Sequence, residues 1–283
     1  MPEIKTIGVV GAGTMGHGIA QVCAQAGFRT ILFDINAAAL DNAQTTITQN
    51  LHLSREKGKL TEEQVQATLT NLKFTLDTLD LIVDLVIEAV VEKLEVKQGI
   101  FKELITINTP ACILASNTSS LSITRLAAGL ENPARLIGMH FFNPAPLMPL
   151  VEVVAGVATS TQTMQVVTDL VRQLNKTPVQ LQDSPGFIVN RVARHYYLES
   201  LKLLEEQVAD QQIIDKLLEA TGFKMGPFRL MDLIGNDVNL AVTTSLFKAF
   251  NFEARFRPSR IQEKKVDAGH LGRKTGKGFY DYS

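Results

Sequence analysis

The chain has 283 residues, with 28 lysines and arginines against 29 aspartates and glutamates, and a formal net charge of −1. Hydrophobic residues make up 45% and charged residues 20%, the balance of a soluble globular protein of one large or two unequal domains. That charge excludes a basic footprint for nucleic acid or a polybasic membrane patch, and no apolar run approaches the ~20 residues of a membrane span. The start is charged and strand-like rather than a signal sequence. Cys23 and Cys112 sit in apolar segments and form no CxxC. They read as reduced core residues, and the expected location is cytoplasmic.

In chain order, Ile4 to Val10 reads as a buried strand, with β-branched bulk from Ile7, Val9 and Val10. Gly11-Ala12-Gly13-Thr14-Met15-Gly16 follows at once and opens a helical pattern that runs to Ala26 and stops at Gly27. A strand, a GxGxxG turn and a helix together make a dinucleotide-binding signature. Gly11 makes the tight turn, Gly13 lets the backbone approach a pyrophosphate, and Gly16 lets the helix pack close. The helix start, including Thr14 and Met15, offers amide donors to the phosphates. A second strand, Thr30 to Phe33, ends in Asp34. An acid there accepts from the ribose diol, and no arginine follows in Ile35-Asn36 to welcome a 2′-phosphate, so the cofactor expected is NAD.

Strand and helix continue to alternate. A long helix starts at Ala37, a weak strand lies around Lys73 to Thr75, and Asp84 to Ala89 is a strand. Leu94 to Ile107 reads as a helix, and Ile113 to Ser116, Leu136 to His140 and Leu150 to Val154 as strands. Thr161 to Leu174 is helical and Val179 to Leu181 closes the series. This pattern predicts a Rossmann-like, mostly parallel sheet covered on both faces. Ligands sit beyond the carboxyl ends of such strands, where Glu92, Ser116 to Ser120, His140 and Asn143 fall. His140 ends one β-like run and Glu152 lies inside the next. If the runs are neighbours, the pair can serve as a general base and the carboxylate that fixes its tautomer. Glu88, inside an apolar strand, reads as a buried structural carboxylate.

Asp183-Ser184-Pro185-Gly186 is the clearest break. Beyond it no strand is expected. Ile188 to Glu206, Gln211 to Ala220 and Val238 to Phe250 read as helices, Met225-Gly226-Pro227 and Arg257-Pro258-Ser259 as interruptions, and a last helix precedes Leu271. The predicted fold is therefore α/β: a Rossmann-like NAD-binding domain, residues 1–183, then a smaller all-α domain, residues 184–283. So small a helical domain is expected to bury its apolar faces against a second copy, giving a homodimer. No metal site is expected, because the histidines are scattered and neither cysteine pairs with one at ligand spacing.

Five stretches carry more than their chemistry. Gly11 to Gly16, Ser116-Asn117-Thr118-Ser119-Ser120, Gly138-Met139-His140-Phe141-Phe142-Asn143-Pro144, Leu150-Val151-Glu152-Val153 and Ser184-Pro185-Gly186-Phe187-Ile188-Val189-Asn190-Arg191 resemble, in order and spacing, the 3-hydroxyacyl-CoA dehydrogenases. The length and the Lys274 to Tyr280 tail look most like the bacterial 3-hydroxybutyryl-CoA members. The resemblance implies reversible NAD-dependent oxidation of an L-3-hydroxyacyl-CoA to the 3-oxoacyl-CoA. It implies His140 as base, Glu152 as its orienting carboxylate, and Ser119 and Asn190 as holders of the substrate's oxygens. Asp34, Glu92, Lys97, Asn143 and Lys274 would contact the cofactor. Lys57 and Lys59, with Arg55, read as a solvated helix face that could also meet the phosphates of coenzyme A. Two other readings stay open: a same-fold dehydrogenase of a non-CoA hydroxy acid or sugar acid, and a non-catalytic NAD-binding protein.

Overall fold

The computed structural model describes residues 3–282. The chain divides into two compact units, residues 1–183 and 184–283.

The first unit is one eight-stranded sheet with helices. Its strands are β1 (Thr6–Val10), β2 (Arg29–Phe33), β3 (Leu72–Thr75), β4 (Leu85–Glu88), β5 (Ile113–Ser116), β6 (Leu136–Phe141), β7 (Leu150–Ala155) and β8 (Thr177–Gln182). The order across the sheet is β3-β2-β1-β4-β5-β6-β7-β8. Every neighbouring pair is parallel except β6–β7, which is antiparallel. The first six strands thus follow the doubly wound order 3-2-1-4-5-6 that binds dinucleotides where the order reverses. A parallel crossover needs a dozen or more residues, whereas the link from Phe142 to Pro149 is short enough only for a reversal.

Between the strands run α1 (Thr14–Gln25), α2 (Ala37–Glu56), α3 (Glu62–Thr70), α4 (Leu94–Ile107), α5 (Ile123–Ala127) and α6 (Thr161–Gln173). Side chains alternate between the sheet's faces. Ile7, Val9, Leu85, Ile87, Met139 and Val153 point to one face and pack with Ile19 and Cys23 of α1 and Val167 and Leu170 of α6. Glu88, Ser116 and Gly138 stand in register on the other face, and His140 lies two residues beyond Gly138 on the same side. Gly138 is required there. A Cβ would come 2.8 Å from Val154 Cβ and 2.9 Å from Ile123 of α5. Cys23 and Cys112 are buried free thiols, each pushed up to about 12 by burial, which leaves them unreactive.

One short helix of this unit, α3, was not expected. α3 opens with a full capping box, Thr61 Oγ1 accepting from the Gln64 amide and Gln64 Oε1 from the Thr61 amide. In α5, the Ser122 hydroxyl accepts from the Arg125 amide and donates to Asp183.

The second unit is helical: α7 (Val189–Glu205), α8 (Gln211–Ala220), α9 (Pro227–Ile234), α10 (Asn236–Ala249) and α11 (Arg260–Asp267). Its core gathers Tyr197, Leu201, Ile214, Phe228, Met231 and Phe279. Two buried aspartates tie it together. Asp215 accepts from the amides of Phe228 and Arg229 and from the Tyr280 hydroxyl. Asp232 accepts from the amides of Phe279 and Tyr280 and from the Tyr282 hydroxyl, fastening the tail. α9 begins where an interruption was read. Pro227 sits in the first turn of the helix, where its missing N–H costs nothing.

Candidate active site

The glycine turn is shaped for a phosphate. Gly11 has φ of +102°, and a Cβ there would meet the Ala89 carbonyl oxygen at 2.8 Å. A Cβ on Gly16 would lie 1.6 Å from the Gly11 carbonyl oxygen, so α1 packs on the turn at a distance only glycine allows. At Gly13 nothing lies within 4 Å. No side chain caps α1, so its first amides, those of Thr14 and Met15 among them, keep their donors for an anion. Asp34 holds the turn from the next strand, accepting from the amides of Ala12 at 2.7 Å and Asn36 at 2.9 Å. A carboxylate has acceptor capacity beyond two bonds. Beside it opens a cavity of about 550 Å³ lined by Gly11, Gly13, Asp34, Val90, Val91 and Ile100. An apolar slot, an acid and an uncapped helix start fit the adenine, ribose and pyrophosphate of NAD.

One strand further on, Glu88 is fully buried. Its Oε1 accepts from Lys97 Nζ and the Val90 amide, both at 2.7 Å, and its Oε2 from the Ser116 hydroxyl at 2.6 Å. Lys97 is 1% exposed and reaches Glu92 Oε2 at 3.1 Å. The other Glu92 oxygen accepts from the Thr118 and Ser120 hydroxyls at 2.5 and 3.0 Å and from the amides of Ser119 and Ser120 at 3.0 and 3.2 Å. Burial alone would raise the Glu92 carboxyl. The Lys97 charge and the two hydroxyls outweigh it and hold the group below the ordinary carboxylate range.

The antiparallel register sets His140 directly opposite Glu152, and Nδ1 lies 2.8 Å from Glu152 Oε2. Exposures of 6% and 1% put both groups out of water. A carboxylate only accepts, so Nδ1 carries the proton and donates, leaving Nε2 as the basic nitrogen of the neutral ring. Beside this pair, Asn117 Oδ1 accepts from the Phe141 amide at 2.8 Å and ties the loop after β5 to the end of β6.

The remaining residues singled out from the sequence fall in three places. Asn143, whose peptide bond to Pro144 is cis, lines a cavity of about 260 Å³ with His17, Ser54, Lys57, Lys59 and Leu147. α2 ends at Glu56, so Lys57 and Lys59 stand in the turn after it and not on a helix face, and Arg55 is paired with Glu62. In the second unit, Asn190 stands in the first turn of α7 and its carbonyl accepts from Arg194 Nε at 3.3 Å. Lys274 donates to Asp237 at 2.7 Å. Glu88 is buried and structural, as its apolar strand led one to expect; what sequence reasoning missed is its bond to Ser116 and the strut from Asn117 to Phe141. The available signal was polar residues at the carboxyl ends of adjacent apolar strands.

A phosphate-shaped glycine turn and a carboxylate-held imidazole in one sheet define the class, an NAD-dependent dehydrogenase. The description "3-hydroxyacyl-CoA dehydrogenase, NAD binding domain" matches residues 6–184 and "3-hydroxyacyl-CoA dehydrogenase, C-terminal domain" matches residues 186–282. The chain belongs to the 3-hydroxyacyl-CoA dehydrogenase family. It is 49% identical to the 3-hydroxyadipyl-CoA dehydrogenase of Escherichia coli over 100% of its own length, and spans 60% of that protein. It is 43% identical to the 3-hydroxybutyryl-CoA dehydrogenase of Bradyrhizobium diazoefficiens, covering 99% of this chain and 96% of that one. The crystal structure of the (S)-3-hydroxybutyryl-CoA dehydrogenase of Ralstonia eutropha superposes with a TM-score of 0.96 at 42% identity, covering 99% of this chain and 100% of that one.

Proposed function

We propose that this chain oxidises short-chain L-3-hydroxyacyl-CoA thioesters to 3-oxoacyl-CoA, reversibly, with NAD. The observation that carries this reading is the buried His140–Glu152 pair at 2.8 Å, set in the sheet that also holds the glycine turn. Pure binding needs no such base. The short acyl chain is supported by the Bradyrhizobium diazoefficiens relative named 3-hydroxybutyryl-CoA dehydrogenase at 43% identity.

Bound NAD supplies the hydride acceptor. His140 takes the proton of the substrate's 3-hydroxyl on Nε2 while C3 loses hydride. As the imidazolium forms, the Glu152 carboxylate already on Nδ1 stabilises it without reorganising. In the reductive direction the same Nε2–H is delivered to the developing alkoxide. Ser119 donates to the substrate's oxygen, and Asn190 shares that task by the family pattern. Asp34, Glu92, Lys97, Asn143 and Lys274 are assigned to the cofactor. The exposed Lys57 and Lys59 serve the phosphates of coenzyme A, supported by the cavity they line with Asn143. The active form is a homodimer through the second unit. That is supported by the exposed apolar side chains Ile213 and Leu217 of α8, Leu233 and Ile234 of α9 and Val238 of α10. Two buried free thiols suit a reducing cytoplasm. Among the described residues no helix is long and apolar enough to cross a membrane.

The test is oxidation of NADH with acetoacetyl-CoA, with NADPH and with free acetoacetate alongside. Turnover with NADH and the thioester alone is expected. Turnover with free acetoacetate but not its thioester would overturn the substrate assignment.

A further inference from the structure

We propose that Glu88 is the positioning residue for the loop that carries Ser119, setting through two hydrogen-bonded routes where that serine stands. The inference rests on the reading that Ser119 holds the substrate's oxygen. One route is direct. Glu88 Oε2 accepts from the Ser116 hydroxyl at 2.6 Å, and Ser116 Oγ in turn accepts from the Thr118 amide at 3.3 Å. The Glu88 carbonyl also accepts from the Asn117 amide at 2.8 Å. The other route runs through charge. Glu88 Oε1 holds Lys97 at 2.7 Å, Lys97 holds Glu92 at 3.1 Å, and Glu92 gathers donors from Thr118, Ser119 and Ser120.

Burying an ion pair costs several kcal/mol of desolvation per ion, and apolar residues of the same volume usually do no worse for stability. Here the pair is 0% and 1% exposed; apart from its bonds to the Val90 backbone, its contacts lead through Ser116 and Glu92 toward one loop. Glu88 accepts from three donors and Lys97 Nζ lies within 3.5 Å of three acceptors, so the network is satisfied and can fix a single geometry. Its way out toward solvent is Glu92, whose side chain is 36% exposed and whose Oε1 carries the loop. A glutamine at position 88 keeps the shape but has one acceptor oxygen. With that oxygen on Lys97, the amide nitrogen donates to the Ser116 hydroxyl, so the direct route is held by a reversed, neutral bond and the charged route loses its ion pair.

The experiment is a double-mutant cycle on the full chain with NADH and acetoacetyl-CoA, run well below each variant's melting temperature. Glu88→Gln is expected to lower kcat about ten-fold at saturating NADH, over and above any loss of NADH affinity passed on through Lys97 and Glu92. Combined with Ser119→Ala, the double variant should be no more than about two-fold slower than the slower single, because both act through one group. Multiplying effects would overturn the proposal. So would unchanged kcat in Glu88→Gln, the result of a merely structural role, or a weakened NADH affinity with kcat intact. Ser116→Ala cuts the direct route without touching buried charge. If Glu88→Gln does not fold, the Ser116→Ala/Ser119→Ala cycle decides on the same criterion. An inactive wild-type enzyme would instead be a failure of the functional reading, visible before any variant is made.

Discussion

Glu152 and Glu88 are buried alike, 1% and 0% exposed, on the same face of one sheet, yet they hold opposite kinds of partner. Glu152 has an imidazole, which can keep one nitrogen bonded to the carboxylate while the other gains or loses a proton. Glu88 has an ammonium, a group of donors only, and two further donors from Ser116 and Val90. The first arrangement is able to move a proton; the second is able only to fix a shape. Burial of a carboxylate therefore says little about function until the protonation chemistry of its partner is known.

The comparison breaks most readily at the histidine. His140→Ala should lower kcat by about 10³- to 10⁴-fold with NADH binding intact, measured by single-turnover kinetics and fluorescence titration. Glu152→Gln should lower kcat by about 10²-fold, and the double variant should be no slower than His140→Ala alone, since the carboxylate acts through the ring. At Glu88 the larger loss should be of stability. Glu88→Ala removes the nearest counter-charge of Lys97, leaving Glu92 at 3.1 Å, and is expected to destabilise by about 3 kcal/mol. A thermal melt would show this as a drop of roughly 5–10 °C. An unchanged melt would mean that Glu92 alone compensates the buried ammonium.

Much of this site was legible in the sequence. The glycine turn, the acid at Asp34 and the ends of β4, β5 and β6 follow from local rules: glycine spacing, apolar runs and the residues that punctuate them. The His140–Glu152 contact needed one further fact, that the β6–β7 link is too short for a crossover, and the antiparallel register followed. Glu88 and Ser116 were harder. An apolar strand ending in a glutamate points to a buried carboxylate but does not say which groups that carboxylate holds. Its partners lie 9 and 28 residues away. The helix α3 escaped because a short helix shows little periodicity, although the Thr61–Gln64 capping box announced it. Pro227 was misjudged because proline both stops and starts helices, and only the residues after it tell which.

The second unit offers the comparison's weak limit, an acid–base pair near water. Lys274 and Asp237 lie 2.7 Å apart with side chains 46% and 36% exposed. Partial burial would raise the Asp237 carboxyl, but the hydrogen bond and charge of Lys274 prevail and hold it below its ordinary value of 3.8. A carboxylate depressed in the folded state adds stability above its unfolded pKa, and that stability is lost as the pH falls through the folded value. Solvent screening keeps it small, about 0–1 kcal/mol. Lys274→Met should therefore melt within about 3 °C of wild type at pH 7, and the difference should fade as the pH falls below 3.8 and through the lowered folded value. The same variant should raise the KM for NADH a few-fold, about the loss of one exposed charge contact, with kcat unchanged. A drop at pH 7 as large as that of Glu88→Ala would mean that exposure does not separate the clamp from the surface pair.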